Sequence, residues 1–104
     1  MRLLETQEQF ESLWFSKDIE SKWIVYFTAA WCGPCKLLDT ELLTKAANTK
    51  HIPIYKCDDT VNNYTGGYCG VRSFPTFIYF NPKKVVSTFK SNDTSKVIEW
   101  INSL

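Results

Sequence analysis

The chain has 104 residues, room for one domain built on one core and not for two. With 44% hydrophobic, 22% charged and 15% aromatic residues, it carries enough large apolar area to exclude a disordered polymer. Lys plus Arg number 12 against 11 Asp plus Glu, a formal net charge of +1, so charge makes no case for a nucleic-acid or anionic-membrane partner.

In chain order, a short apolar start at Leu3 and Leu4 leads to Thr6-x-x-Gln9, which has the form of a capping box. Phe10, Leu13 and Trp14 follow at helical spacing, so a helix is predicted to about Asp18. Trp23 to Thr28 is nearly continuous apolar, rich in β-branched and aromatic residues and too short for a typical helix; it predicts a central strand covered on both faces. Pro34 then opens a helix whose stripe of Leu37, Leu38, Leu42, Leu43 and Ala46 runs on toward Asn48. Ile52 to Cys57 predicts a second strand, Asp59 to Tyr68 a short helix or irregular segment, and Thr76 to Phe80 a third strand. Asn81-Pro82-Lys83-Lys84 is the turn of a hairpin into Val85 to Phe89. Asp93 or Thr94 caps a last helix with Val97, Ile101 and Leu104 on one face and Ile98 and Trp100 beside it. This order predicts an α/β fold, one mixed sheet with helices on both faces, its first parallel strands central and its closing hairpin at an edge.

The chemistry concentrates at Trp31-Cys32-Gly33-Pro34-Cys35. Cys32 falls at the end of the buried strand and the mouth of the next helix, where free N–H groups and the helix dipole favour a thiolate. Cys35 lies about one turn further on, close enough for the two sulfurs to close a small ring. Gly33 leaves the approach to Cys32 open and Pro34 fixes the turn, while Trp31 walls one side. Half of a zinc site is the competing reading, but the remaining ligands would have to come from Cys57, Cys69 and the lone His51, at irregular spacings. A purely structural disulfide is the other, set against the thiolate character that a helix start confers. Cys57 is expected as a small buried hydrophobe, and Cys69, six residues before Pro75, as a candidate for oxidation or intermolecular pairing.

The string Trp31-Cys32-Gly33-Pro34-Cys35-Lys36 after a buried strand, together with Phe27, Ala29 and Ser73-Phe74-Pro75-Thr76-Phe77, resembles the thioredoxin family over essentially the whole chain. The resemblance implies the thioredoxin fold and a protein-disulfide reductase. Cys32 would attack and Cys35 resolve; Trp31, Gly33, Pro34, Phe74 and a cis Pro75 would receive the substrate segment. It implies protein disulfides as substrates and an NADPH-dependent thioredoxin reductase as electron donor. No Gly-rich dinucleotide fingerprint occurs in the chain, so no bound cofactor is expected; no metal is expected either. An oxidase or isomerase on the same fold, or a binding subunit with idle cysteines, are the alternatives.

Met1 to Glu11 carries Glu5, Glu8 and Glu11 in place of a basic then apolar signal, and no run approaches a membrane span. A monomer in a reducing, cytoplasmic compartment is therefore expected, with neither nucleic acid nor membrane as partner. The chain also departs from the resemblance. Tyr26 stands where thioredoxins usually bury an Asp that takes the resolving cysteine's proton, and Lys56 matches that acid's partner. Lys56 and Asp58 are thus the proton-transfer candidates, since a phenol with a pKa near 10 is a poor base. Thr40 replaces a kinking proline, which predicts a straighter helix, and Lys90-Ser91-Asn92-Asp93 replaces a glycine-bearing loop near the site.

Overall fold

In the computed structural model, which describes residues 1–16, 21–81 and 83–104, every residue of Trp23–Thr28 (β2) is buried. A strand with no exposed side chain needs a strand on each edge and a layer on each face. Ile54–Asp58 (β3) pairs with it in parallel on one side and Thr76–Asn81 (β4) antiparallel on the other. Arg2–Leu3 (β1) extends the sheet beyond β3, and Lys84–Phe89 (β5) closes it beyond β4, giving the order β1-β3-β2-β4-β5. The parallel pair is central and the hairpin lies at an edge, as the right-handed crossover rule requires.

Side chains of β2 alternate between two apolar layers. Trp23, Val25 and Phe27 join Phe10 of Gln7–Trp14 (α1), Cys57, Ile78 and Phe80 on one face. Ile24 and Tyr26 join Phe77, Tyr79 and the buried residues of Thr40–Thr49 (α2) and Thr94–Asn102 (α4) on the other. Asn63–Tyr68 (α3) is pinned beside α1 by a buried polar link, in which Asn62 Nδ2 donates to Thr65 Oγ1 at 2.8 Å and Thr65 Oγ1 to Gln7 Oε1 at 2.8 Å.

The capping box forms: Gln9 N–H donates to Thr6 Oγ1 at 3.2 Å while Thr6 N–H donates to Gln9 Oε1 at 3.2 Å. The helix it starts ends at Trp14, and the predicted end at Asp18 lies outside the described residues. Asp93, rather than Thr94, caps α4, accepting from Ser95 and Lys96 N–H.

Two expectations change. The helix predicted to run unbroken from Pro34 is a four-residue 3₁₀ turn, Pro34–Leu37, followed by an extended Leu38 (ψ 134°) and then α2. The break needs no proline, because the Asp39 carboxylate accepts from Glu41 N–H (3.1 Å) and Leu42 N–H (3.2 Å) and starts a new helix there; the straighter helix inferred from Thr40 is therefore not formed. The strand placed at Ile52–Cys57 is Ile54–Asp58. Ile52 N–H is taken by Ala47 O at 2.9 Å in the α2 terminus, and Pro53 has no N–H to give.

Phe77 is fully buried, with Tyr26 stacked on it at 4.9 Å and Trp100 tilted against it at 6.1 Å. Phe77→Ala should lower unfolding free energy by about 3–5 kcal/mol in urea titration, leaving little of a typical domain's stability. A loss below about 1 kcal/mol would show that this layer repacks freely.

Candidate active site

Past Thr28 the chain leaves the sheet and its backbone groups find local partners. Asp59 N–H donates to Thr28 O (2.8 Å), Ala30 N–H to Thr60 Oγ1 (3.0 Å), and Cys32 N–H to Ala29 O (3.0 Å). The 3₁₀ turn that follows begins at Pro34 and holds Cys35, with Cys32 just ahead of its Gly33 cap. Cys32 and Cys35 are joined as a disulfide, with Cα atoms 5.4 Å apart. Cys35 N–H donates to Cys32 Sγ at 3.2 Å, a donor that would favour negative charge on that sulfur in the dithiol form. This local N–H replaces the expected long-helix dipole, since only four residues continue the helix before it breaks.

Trp31, Gly33 and Pro34 are exposed around the pair. Gly33 has helical backbone (φ −59°), and a Cβ there would meet no atom within 4 Å, so neither strain nor fit demands glycine and its lack of a side chain leaves open space beside Cys32. Across the disulfide lies the segment before β4. The Phe74–Pro75 peptide bond is cis, Pro75 is buried, and Thr76 Oγ1 donates to Ser73 O at 2.7 Å. Phe74 packs against the group formed by Ala29, Cys32 and Cys35 and meets Trp31 edge to face at 5.5 Å.

Beneath the pair is a cavity of about 280 Å³ whose floor is a square of four side chains. The parallel register sets Tyr26 beside Lys56 and Thr28 beside Asp58, and alternation along each strand turns all four to the same face. Cys32 and Cys35 line the other wall. The two proton-transfer candidates are thus gathered with the disulfide. Burial raises the Tyr26 phenol above its usual pKa; its hydrogen bond to Thr28 opposes this and the Asp58 charge adds to it. Its hydroxyl lies 3.2 Å from Thr28 Oγ1 and 3.5 Å from Cys35 O, so at neutral pH it is a donor that keeps its proton. At Asp58 burial pushes the carboxyl up, but hydrogen bonds from Thr60 and Ala30 and the Lys56 charge outweigh it and hold the group below its usual value.

Thr28 and Thr60 take part in this arrangement and carry no motif. Thr28 was accessible from alternation, two residues from Tyr26; nothing in the sequence marks the Thr60 hydroxyl. His51 is exposed at the end of α2, away from the disulfide, with φ 57°. Cys57 is buried and Cys69 half-buried in the opposite apolar layer. Among the described residues no group of three or more His, Cys, Asp or Glu gathers to hold a metal, and no helix is long and apolar enough to cross a membrane.

The thioredoxin family model matches residues 3–103. The chain belongs to the thioredoxin family. Thioredoxin from Geodia cydonium is 29% identical over 90 residues, 86% of this chain and 83% of that protein. A protein disulfide-isomerase A6 homolog of Caenorhabditis elegans is 34% identical over 104 residues, 94% of this chain but only 23% of the relative's length. The X-ray structure of Fasciola hepatica thioredoxin superposes with a TM-score of 0.83 at 27% identity, covering 99% of this chain and 98% of that one. Cys32 and Cys35 are accordingly the redox-active pair of a thiol–disulfide oxidoreductase fold.

The other two thiols are held neutral. Burial, with the Asp59 and Asp58 charges, pushes Cys57 up to about 11, and burial, with Cys57 beside it, pushes Cys69 up to about 12. A thiol that stays protonated is a poor nucleophile, which argues against Cys69 as an oxidation site. In the unfolded chain both ionise near their ordinary value of 9.0, so the folded state keeps protons that the unfolded state releases. Their contribution to stability is intact below that value and lost as pH rises through about 11 and about 12. The urea midpoint should fall between about pH 9 and about pH 12, and less steeply in the Cys57→Ala, Cys69→Ala double variant; parallel curves would contradict this assignment.

Proposed function

We propose that the chain is a protein-disulfide reductase that draws electrons from an NADPH-dependent thioredoxin reductase, as a monomer in a reducing, cytoplasmic compartment. The observation that carries this reading is the Cys32–Cys35 disulfide on a turn whose Trp31, Gly33 and Pro34 are exposed, with a backbone N–H on Cys32 Sγ and the Phe74–Pro75 edge facing it. In the dithiol form Cys32 thiolate attacks one sulfur of a substrate disulfide, giving a Cys32–substrate mixed disulfide and releasing the first substrate thiolate. Cys35 then loses its proton and attacks Cys32 Sγ; the Cys32–Cys35 bond forms, the mixed disulfide breaks, and the second substrate thiolate leaves and is protonated. Two electrons pass to the substrate. Trp31, Gly33, Pro34, Phe74 and Pro75 receive the substrate segment around that sulfur.

Tyr26 keeps its own proton, so the proton of Cys35 leaves by the cavity, which is polar and roomy enough to hold water. Lys56 favours the Cys35 thiolate by its charge, and Asp58, held ionised, supplies an acceptor for the water that carries the proton out. The 34% likeness to a disulfide-isomerase A6 homolog supports a second reading, an isomerase or oxidase on the same fold. A reduction potential measured against glutathione separates the two: a potential near the reducing end of the family's range favours the reductase, and one near the glutathione couple the isomerase.

With a thioredoxin reductase and NADPH present, the wild-type chain should reduce insulin, Cys32→Ser should fall to background, and Cys35→Ser should trap the mixed disulfide; an inactive wild type would leave a binding subunit as the better reading. Tyr26→Asp should speed decay of the mixed disulfide by about 10²-fold, the lower end of what a positioned base contributes. It should also lower the melting temperature, since the ring stacked on Phe77 is lost. No change in decay rate would show that the missing acid is immaterial.

A further inference from the structure

Resolution requires Cys35 Sγ to meet Cys32 Sγ while a substrate is still attached, and the turn that carries Cys35 is short. Lys36 N–H to Gly33 O (3.1 Å) and Leu38 N–H to Cys35 O (3.2 Å) close it, and the backbone is extended from Leu38. Four residues hold a helical shape poorly by themselves, because a helix gains stability only as bonds accumulate beyond its first turn. Support has to come from outside. Between Trp31 and Leu38, one side chain from elsewhere among the described residues bonds this backbone: the Tyr26 hydroxyl, 3.5 Å from Cys35 O. A carbonyl oxygen can only accept, so Tyr26 donates to it and is free to accept from the Thr28 hydroxyl, 3.2 Å away. Tyr26 itself is firmly held: it is paired on both edges of β2, opposite Lys56 and Phe77, and its ring stacks on Phe77 at 4.9 Å and 11°.

We propose that Tyr26 is a positioning residue for the resolving cysteine: its phenol tethers the Cys35 carbonyl to the sheet and so keeps Cys35 Sγ within reach of Cys32 Sγ. Before attack, Cys35 N–H donates to the Cys32 thiolate, a charge-assisted bond strong enough to hold the turn closed. In the mixed disulfide that sulfur is neutral and the same bond weakens, so the tether from Tyr26 counts most at that stage. Loss of the phenol hydroxyl is therefore felt in resolution and not in attack. This rests on the disulfide-exchange reading above, but both steps can be followed without a protein substrate or a reductase. Reduced protein is mixed with excess of a symmetrical nitrophenyl disulfide, which gives up one coloured thiolate when Cys32 attacks. The second coloured thiolate leaves when Cys35, its proton lost through the cavity, attacks Cys32 Sγ and closes the Cys32–Cys35 bond. The first release depends on reagent concentration and the second does not, and the neutral thiols of Cys57 and Cys69 react in a later phase.

Tyr26→Phe keeps the ring that stacks on Phe77 and removes only the hydroxyl. It should slow the second release about two- to tenfold, the factor that one net hydrogen bond corresponds to, and leave the first at the wild-type rate. A second release at the wild-type rate, a faster one, or both releases slowed by the same factor would each overturn the tether. A urea midpoint measured on the same variant guards against a role in packing alone: a lower midpoint with the two releases unseparated would also overturn it. The separation seen in a chain that fails to reduce insulin would uphold the tether and remove the reductase reading instead.

Discussion

The point at which β2 runs out of partners fixes the rest of the site. Its parallel neighbour β3 ends beside it, with Thr28 opposite Asp58, and its antiparallel neighbour β4 begins there, with Phe27 opposite Thr76. Three chain segments therefore converge at one end of the central strands: the one leaving β2, the one leaving β3 and the one entering β4. The first carries Cys32, the second clasps it through Asp59 and Thr60, and the third brings Phe74 and Pro75. Unpaired N–H groups cannot be left buried, so the chain past Thr28 must turn and bond to itself, as Cys32 N–H does to Ala29 O and Cys35 N–H to Cys32 Sγ.

The central position of β2 also explains why a phenol is tolerated beneath the disulfide. An ionised acid buried there would need stabilising charges or would shift to its neutral form. Tyr26 avoids that cost: its ring stacks on Phe77 and its one hydroxyl has a partner in Thr28. The charges of the cavity lie one strand over, on the half-buried Lys56 and Asp58, which water reaches more easily. The interior gains packing, and the charged groups of the cavity stand on β3, one strand out from the middle of the sheet.

How much of this was legible in the sequence depends on the range of the interaction. The buried strand, the cysteine spacing, the capping box and the hairpin are local patterns, and periods of 2 and 3.6 residues report them directly. The break at Leu38 and Asp39 was hidden because Leu37, Leu38, Leu42 and Leu43 imitate one continuous apolar stripe. Leu37 is in fact exposed and Leu38 buried in the α2 and α4 layer, and an Asp inside a helical pattern shows its capping role only once its partners are seen. The start of β3 was misplaced because Ile52 is apolar enough for a strand while its N–H is committed to α2. Thr60 and the Trp31–Phe74 contact join segments distant in sequence, and no local pattern encodes them.

Alternation on β3 keeps two kinds of thiol apart. Cys57 lies between Lys56 and Asp58 in sequence but on the opposite face, against Val25, Phe27 and Ile78. A slip of one residue in the β2–β3 register would turn Lys56 and Asp58 into that apolar layer and Cys57 into the cavity beneath the disulfide. Burying an unpaired ammonium and carboxylate costs far more than a strand pair gains, so the register is strongly specified by the very charges that line the cavity. The same two residues that line the cavity with the disulfide thus hold the third cysteine in an environment where its thiol stays neutral. The neutrality of the Cys57 thiol follows from the face of β3 it occupies, and that choice is enforced by its neighbours.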